Sequence, residues 1–131
     1  MIEEWREAAL KGDGERIRAL LADGADIDAK DRYGQTALMI ASKHGQANVV
    51  SVLVEHRADL DVTAKFNLSA VMLAVVNRHG AIVETLGNAG ADLSLRGTGA
   101  PGFFEKTALQ LAEESEQPEL ADFIRRKIPS A

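Results

Sequence analysis

An all-α solenoid of stacked helix pairs is the fold this sequence predicts, and three observations carry the prediction. Thr36-Ala37-Leu38-Met39-Ile40-Ala41 returns 33 residues later as Ser69-Ala70-Val71-Met72-Leu73-Ala74. After five extra residues it returns again as Thr107-Ala108-Leu109-Gln110-Leu111-Ala112. Gly24-Ala25-Asp26 likewise recurs as Arg57-Ala58-Asp59 and Gly90-Ala91-Asp92. Within each period the apolar residues fall into two short runs at helical spacing. Self-similarity of this period marks stacked supersecondary units rather than one core around a buried active site. Binding in such an array lies along a surface.

The elements follow in order. Glu3 to Leu10 reads as the first helix, and Asp13 is placed to cap the second, which carries Ile17, Leu20 and Leu21. In the next period, Thr36 to Lys43 has apolar residues at 37, 38, 40 and 41, and Val49, Val50, Leu53 and Val54 form one face of a partner helix. No such helix is long enough to be stable alone, so each must pack on its neighbours. Thr36, Ser69 and Thr107 precede the first helix of their periods and suit the N-cap. Pro118 suits the first turn of the last helix, where its missing N–H costs nothing. Gly24 and Gly90 suit the left-handed residue that ends a helix. The stretch 96–105 holds the insertion, and its Gly and Pro residues mark a loop.

Composition narrows the classes of function. The chain has 131 residues, enough for one domain, with a formal net charge of −5. That balance argues against nucleic-acid or anionic-membrane binding through net charge. Absence of cysteine excludes disulfides and thiolate metal sites. The amphipathic, acidic start Met1-Ile2-Glu3-Glu4-Trp5 does not resemble a secretory signal, and no apolar run is long enough to span a bilayer. A cytoplasmic location is the default expectation, with an exported, trimmed form as the alternative.

The pattern D-x-x-G-x-T-x-L-x-x-A-x-x-x-G-x-x-x-V-V-x-x-L-x-x-x-x-A-D resembles an ankyrin repeat. It is clearest in Asp31, Gly34, Thr36, Leu38, Ala41, Gly45, Val49, Val50, Leu53, Ala58 and Asp59. The third period keeps it loosely, with Asn67 for the turn Gly and Ser69 for Thr. The resemblance implies a single domain over 1–131 with repeats near 1–30, 31–63, 64–96 and 97–131. The outer two act as caps, and β-hairpin-like loops join the units. Several residues depart from the pattern. Ala37, Ala70 and Ala108 replace the usual Pro, and Met39, Met72 and Gln110 replace the usual His, so the hydrogen bonds of that His are expected to be missing. Arg57 and Arg78 stand where Gly is favoured, at a cost of about 1 kcal/mol if held at positive φ. The third repeat and its junction with the second are therefore the expected weak point.

The resemblance also implies a concave protein-binding surface of hairpin tips and inner helices. Its tip positions here are Arg32, Tyr33 and Gln35, then Lys65, Phe66 and Leu68, then Phe103, Phe104 and Lys106. The inner-helix positions are Lys43 and His44, Val76 and Asn77, and Glu114 and Ser115. Tyr33, Phe66 and Phe104 share one position in successive repeats, and Arg32, Lys65, Lys106 and Lys43 accompany them. Among these positions Glu114 is the only acid, although acids outnumber bases in the chain. Aromatic residues and Arg dominate interface energetics, and exposed rings have no folding reason to align. The expected partner is a protein or peptide with acidic and apolar residues. The competing expectation is that each ring folds onto its own hairpin and steadies it.

Other signals read as structural. Asp26, Asp28 and Asp31 imitate the start of a calcium loop, but Lys30 stands where the third acid belongs. His44, His56 and His79 lack the spacing of a metal site. His79 is expected near a helix start in a packing role. Trp5 aligns with Leu38, Val71 and Leu109 and is expected to plug the end of the core. Glu113, Glu114 and Glu116 read as a solvated face, and Arg125, Arg126 and Lys127 oppose a helix C-terminal dipole. No nucleophile elbow, phosphate loop or paired-carboxylate motif is present, so no enzyme activity and no cofactor or metal are expected. The reading is a monomeric protein-interaction module. A self-associating or purely structural module is the alternative, and a groove for a small molecule or metal the third.

Overall fold

The computed structural model describes residues 1–98, 103 and 105–128. Among these lie eight α-helices in four antiparallel pairs: α1 (Glu3–Lys11) with α2 (Gly14–Ala22), α3 (Ala37–His44) with α4 (Ala47–Glu55), α5 (Ala70–Val76) with α6 (Gly80–Asn88), and α7 (Ala108–Glu114) with α8 (Pro118–Lys127). The odd-numbered helices pack side by side in one layer and the even-numbered helices in a second. The all-α solenoid is thus as predicted. A short antiparallel pair, β1 (Thr63–Ala64) and β2 (Leu68–Ser69), forms one hairpin, with Thr63 opposite Ser69 and Ala64 opposite Leu68.

The helix starts are set by local chemistry. The side chains of Asp13, Thr36, Ser69 and Thr107 accept hydrogen bonds from the backbone N–H groups of Arg16, Met39, Met72 and Gln110. Gln110 also reaches back to the Thr107 N–H, completing a reciprocal cap. Pro118 opens α8 at its first turn.

The core is a strip shared by successive pairs. Trp5, Ile17, Leu38, Met39, Ile40, Leu53, Met72, Leu86 and Ile124 are among its fully buried side chains. Ala37, Ala41, Ala70, Ala74, Ala108 and Ala112 are buried between the inner helices, where small side chains permit close approach. The positions usually held by His carry buried Met39 and Met72 instead.

Inter-repeat hydrogen bonds come from elsewhere. Gln46, His79 and Gln117 each stand at the N-cap of an even-numbered helix. Gln46 Nε2 donates to the Leu10 carbonyl at 2.7 Å, and Gln117 Nε2 donates to the Val75 carbonyl at 2.9 Å. His79 Nε2 lies 3.1 Å from the Lys43 carbonyl, so that nitrogen carries the proton. This packing fixes the preceding helix ends. Gly12 and Gly45 are left-handed at φ 78° and 75°, and a Cβ there would lie 2.3 Å from Gln46 Oε1 and 2.7 Å from His79 Cε1.

The acidic turns form a second ladder. Asp28 Oδ1 accepts from the Asp59 N–H at 2.9 Å, and Asp61 Oδ1 accepts from the Asp92 N–H at 2.7 Å. Asp26, Asp59 and Asp92 cap their own turns by accepting from Asp28, Asp61 and Ser94. The Ser94 hydroxyl and then its N–H hold the Asp92 carboxyl below its ordinary pKa. The calcium-like acids are therefore engaged with backbone N–H groups, in keeping with a polar turn.

Gly24 and Gly90 are left-handed at φ 92° and 98°, and Arg57 and Arg78 are left-handed at 62° and 63°. Arg57 makes no side-chain hydrogen bond among the described residues, whereas Arg78 Nη2 donates to the Ser115 carbonyl at 2.7 Å. Arg57→Gly is expected to stabilise the protein. It relieves about 1–2 kcal/mol of left-handed strain and returns about 0.4–1 kcal/mol as unfolded-chain entropy. A urea midpoint raised by about 0.5–1 kcal/mol of stability is the expected readout.

Candidate partner-binding surface

The tips are built by short backbone devices. In the turn before α3, Asp31 Oδ1 accepts from the N–H groups of both Tyr33 and Gln35 at 2.9 Å, and Asp31 N–H donates to the Gln35 carbonyl. Asp31 is itself held beneath the tip, with its Oδ2 3.7 Å from Arg6 Nε. The next tip is the three-residue turn Lys65–Asn67 between β1 and β2. Phe66 and Asn67 are both left-handed there, at φ 64° and 58°. Asn67 suits that conformation, as its sequence position suggested. Phe66 does not, and its presence there is a local strain.

Residues of the following inter-repeat segment hold this turn. Thr98 N–H donates to the Phe66 carbonyl at 2.7 Å, and Asn67 Nδ2 donates to the Arg96 carbonyl at 2.8 Å. Arg96 Nη1 in turn reaches the Glu105 carbonyl at 2.7 Å, and Gly97 and Glu105–Lys106 are joined by two backbone hydrogen bonds.

The predicted site residues fall into distinct environments. Tyr33 is 59% exposed and Phe66 40% exposed. Arg32 lies 5.4 Å from the Tyr33 ring centre, and Lys65 lies 5.0 Å from that of Phe66. Arg32, Lys43 and Lys65 form no ion pair among the described residues. Lys106 does, with Glu114 Oε2 at 2.6 Å, so the basic strip is neutralised at that end. Phe103 is half-buried against the core, and Phe104 lies outside the described residues. Gln35 and Leu68 are half-buried. Lys43, His44, Val76 and Asn77 are exposed at the ends of α3 and α5, where Asn77 Nδ2 bonds the Leu73 carbonyl. The Ser115 hydroxyl is turned onto the Leu111 carbonyl of its own helix.

A groove of about 460 Å³ runs between the first two tips. Tyr33 and Phe66 line it together with Ala64, Leu68 and Leu73. No group of three or more His, Cys, Asp or Glu among the described residues is arranged to hold a metal ion. No helix among them is long and apolar enough to cross a membrane.

These repeating pairs, their capped starts and their hairpin turns define a repeat protein, and comparison with known families places it. A family model for ankyrin repeats, spanning three copies, matches residues 6–97. The chain belongs to the ankyrin-repeat family, whose members generally mediate protein–protein interaction and are typically non-catalytic. Over 46 residues it is 46% identical to the E3 ubiquitin-protein ligase XBAT33 of Arabidopsis thaliana, a match covering 35% of this chain and 9% of that protein. Over 47 residues it is 45% identical to the mitochondrial disaggregase of Homo sapiens, covering 36% of this chain and 7% of that protein. The matched stretch is thus under a tenth of either relative's length.

Proposed function

We propose that this protein binds a partner protein or peptide on the face formed by its hairpin tips and inner helices, as an adaptor, scaffold or inhibitor without catalysis. The observation that carries the reading is the pair of exposed rings, Tyr33 and Phe66, on successive tips, each beside a cation with no ion-pair partner among the described residues. Burying such rings supplies much of the affinity of typical interfaces. Lys43, His44, Val76 and Asn77 extend the same face along the inner helices, and Gln35 lines the groove beside the tip rings. Four repeat units over residues 1–131, a monomeric state and a cytoplasmic setting belong to this reading.

One observation favours the alternative, a structural module whose rings steady their own hairpins. Arg32 and Lys65 do stack on the neighbouring rings. An exposed cation–π contact is worth about 0.5–1 kcal/mol, whereas a left-handed non-glycine residue costs about 1–2 kcal/mol. At Phe66 the contact with Lys65 is no larger than the strain, and the covered part of the half-exposed ring adds its own stabilisation. Strained residues of this kind cluster at functional sites.

Photo-crosslinking tests the reading. A benzophenone side chain would be placed at Gln35, on the tip face, or at Glu84, on the exposed side of α6. Covalent capture of one discrete partner from Gln35 and none from Glu84 is expected. Capture from Glu84 alone, or only of a second copy of the chain, would contradict it.

A further inference from the structure

We propose that the groove between Tyr33 and Phe66 is a socket for one large apolar side chain of an acidic partner segment, with carboxylates flanking that side chain received by Arg32 and Lys65. The proposal rests on the tip-face reading above and narrows it to two tips and one ligand chemistry.

Shape is the first argument. Tyr33 and Phe66 form the walls, and Ala64, Leu68 and Leu73 supply apolar surface between them. The volume of about 460 Å³ lies in the range of about 300–1,000 Å³ common to compact ligand sites. That is room for a single leucine, phenylalanine or tryptophan side chain and its adjoining backbone.

Charge is the second. Arg32 and Lys65 line the groove, each beside its neighbouring ring, and no carboxylate lines it among the described residues. Asp31, the nearest acid in sequence, is only 6% exposed and is engaged by Arg6 and two backbone N–H groups. Arg16, Arg18, Lys106 and Arg125 are paired with acids of this chain, whereas Arg32 and Lys65, like Lys11 and Arg57, form no ion pair among the described residues. Two neighbouring cations without such partners, on a chain of net charge −5, form a local field opposite in sign to the whole. Carboxylates beside an apolar anchor would complement that field.

Positioning is the third. The wall at Phe66 exists only while residues 66 and 67 stay left-handed. Thr98 and Arg96 hold them from the following inter-repeat segment, so Asn67 acts as a positioning residue for the Phe66 ring. A socket fixed before binding avoids the cost of ordering its walls.

The test uses the full chain and an array of twelve-residue peptides with a central Leu, Phe or Trp flanked by Asp and Glu. Serine-centred and lysine-flanked peptides serve as controls. Acidic, apolar-centred peptides are expected to bind at least about tenfold tighter than either control, and more weakly as salt is raised. Phe66→Gly is expected to remove that preference with the fold retained, because glycine accepts the left-handed backbone. Lys65→Glu combined with Arg32→Glu should reverse the flank preference. Asn67→Gly keeps the backbone conformation, loses the amide bond to Arg96, and should weaken binding several-fold. Equal binding of controls, or a preference unchanged in Phe66→Gly, would overturn the socket. Tip crosslinks from Gln35 together with no acidic-apolar preference would sink the socket alone. Absence of tip crosslinks would sink the interaction face beneath it.

Discussion

Trp5→Ala is expected to destabilise the protein by about 3–5 kcal/mol, the cost of removing a large buried aromatic side chain from a core that collapses only partly. Trp5 is 1% exposed and caps the end of the strip formed by Leu38 and Val71 in the next two repeats. In a solenoid each repeat is held by its neighbours, so loss at one end first loosens α1 and α2. Hydrogen exchange should show those two helices losing protection before α5 and α6. Trp5→Phe should cost far less. The Trp5 Nε1 group is buried without a hydrogen-bond partner among the described residues, and phenylalanine removes that unpaired donor while keeping most of the apolar volume. Chemical denaturation of both variants checks the difference.

Tyr33→Ala combined with Phe66→Ala is expected to weaken partner binding by at least about 100-fold while costing at most about 2–3 kcal/mol of stability and leaving the protein folded. Both rings are exposed, so truncation opens no core cavity. At Phe66, alanine keeps the left-handed strain and loses both the contact with Lys65 and the covered part of the ring. The effect is therefore expected in the dissociation rate rather than in the fold. Titration of the crosslinked partner, once isolated, gives the affinity, and a urea curve gives the stability.

Much of this arrangement was legible in the residues. Thr36, Ser69 and Thr107 announced their helices because an N-cap needs only a side-chain oxygen at the right place. Trp5 announced its burial through its register with Leu38 and Val71. Arg57 and Arg78 stood where the pattern calls for glycine, and both are left-handed. What stayed hidden depends on stacking. Gln46, His79 and Gln117 differ in type, and each bonds a carbonyl 36 or 42 residues away. No local rule links those pairs before the repeats are superposed. Asp26, Asp28 and Asp31 read in sequence as a local polar turn, and the reach of Asp28 and Asp61 into the next repeat shows only in the stacked structure. At the candidate site, exposure of Tyr33 and Phe66 follows from their tip positions, but the left-handed backbone of Phe66 runs against its residue type. The pairing of Lys106 with Glu114 needed the tip and the far end of α7 brought together, which the sequence does not encode locally.

Comparative affinity capture separates recognition by the tips from recognition by the outer helices. Wild type, the folded Tyr33→Ala/Phe66→Ala variant and an outer-face Ser51→Glu/Glu84→Lys variant would be used as bait in parallel, with captured proteins quantified. One partner is expected to be retained by wild type and by the outer-face variant and lost from the tip variant. Retention by the tip variant with loss from the outer-face variant would place recognition on the even-numbered helices and contradict it.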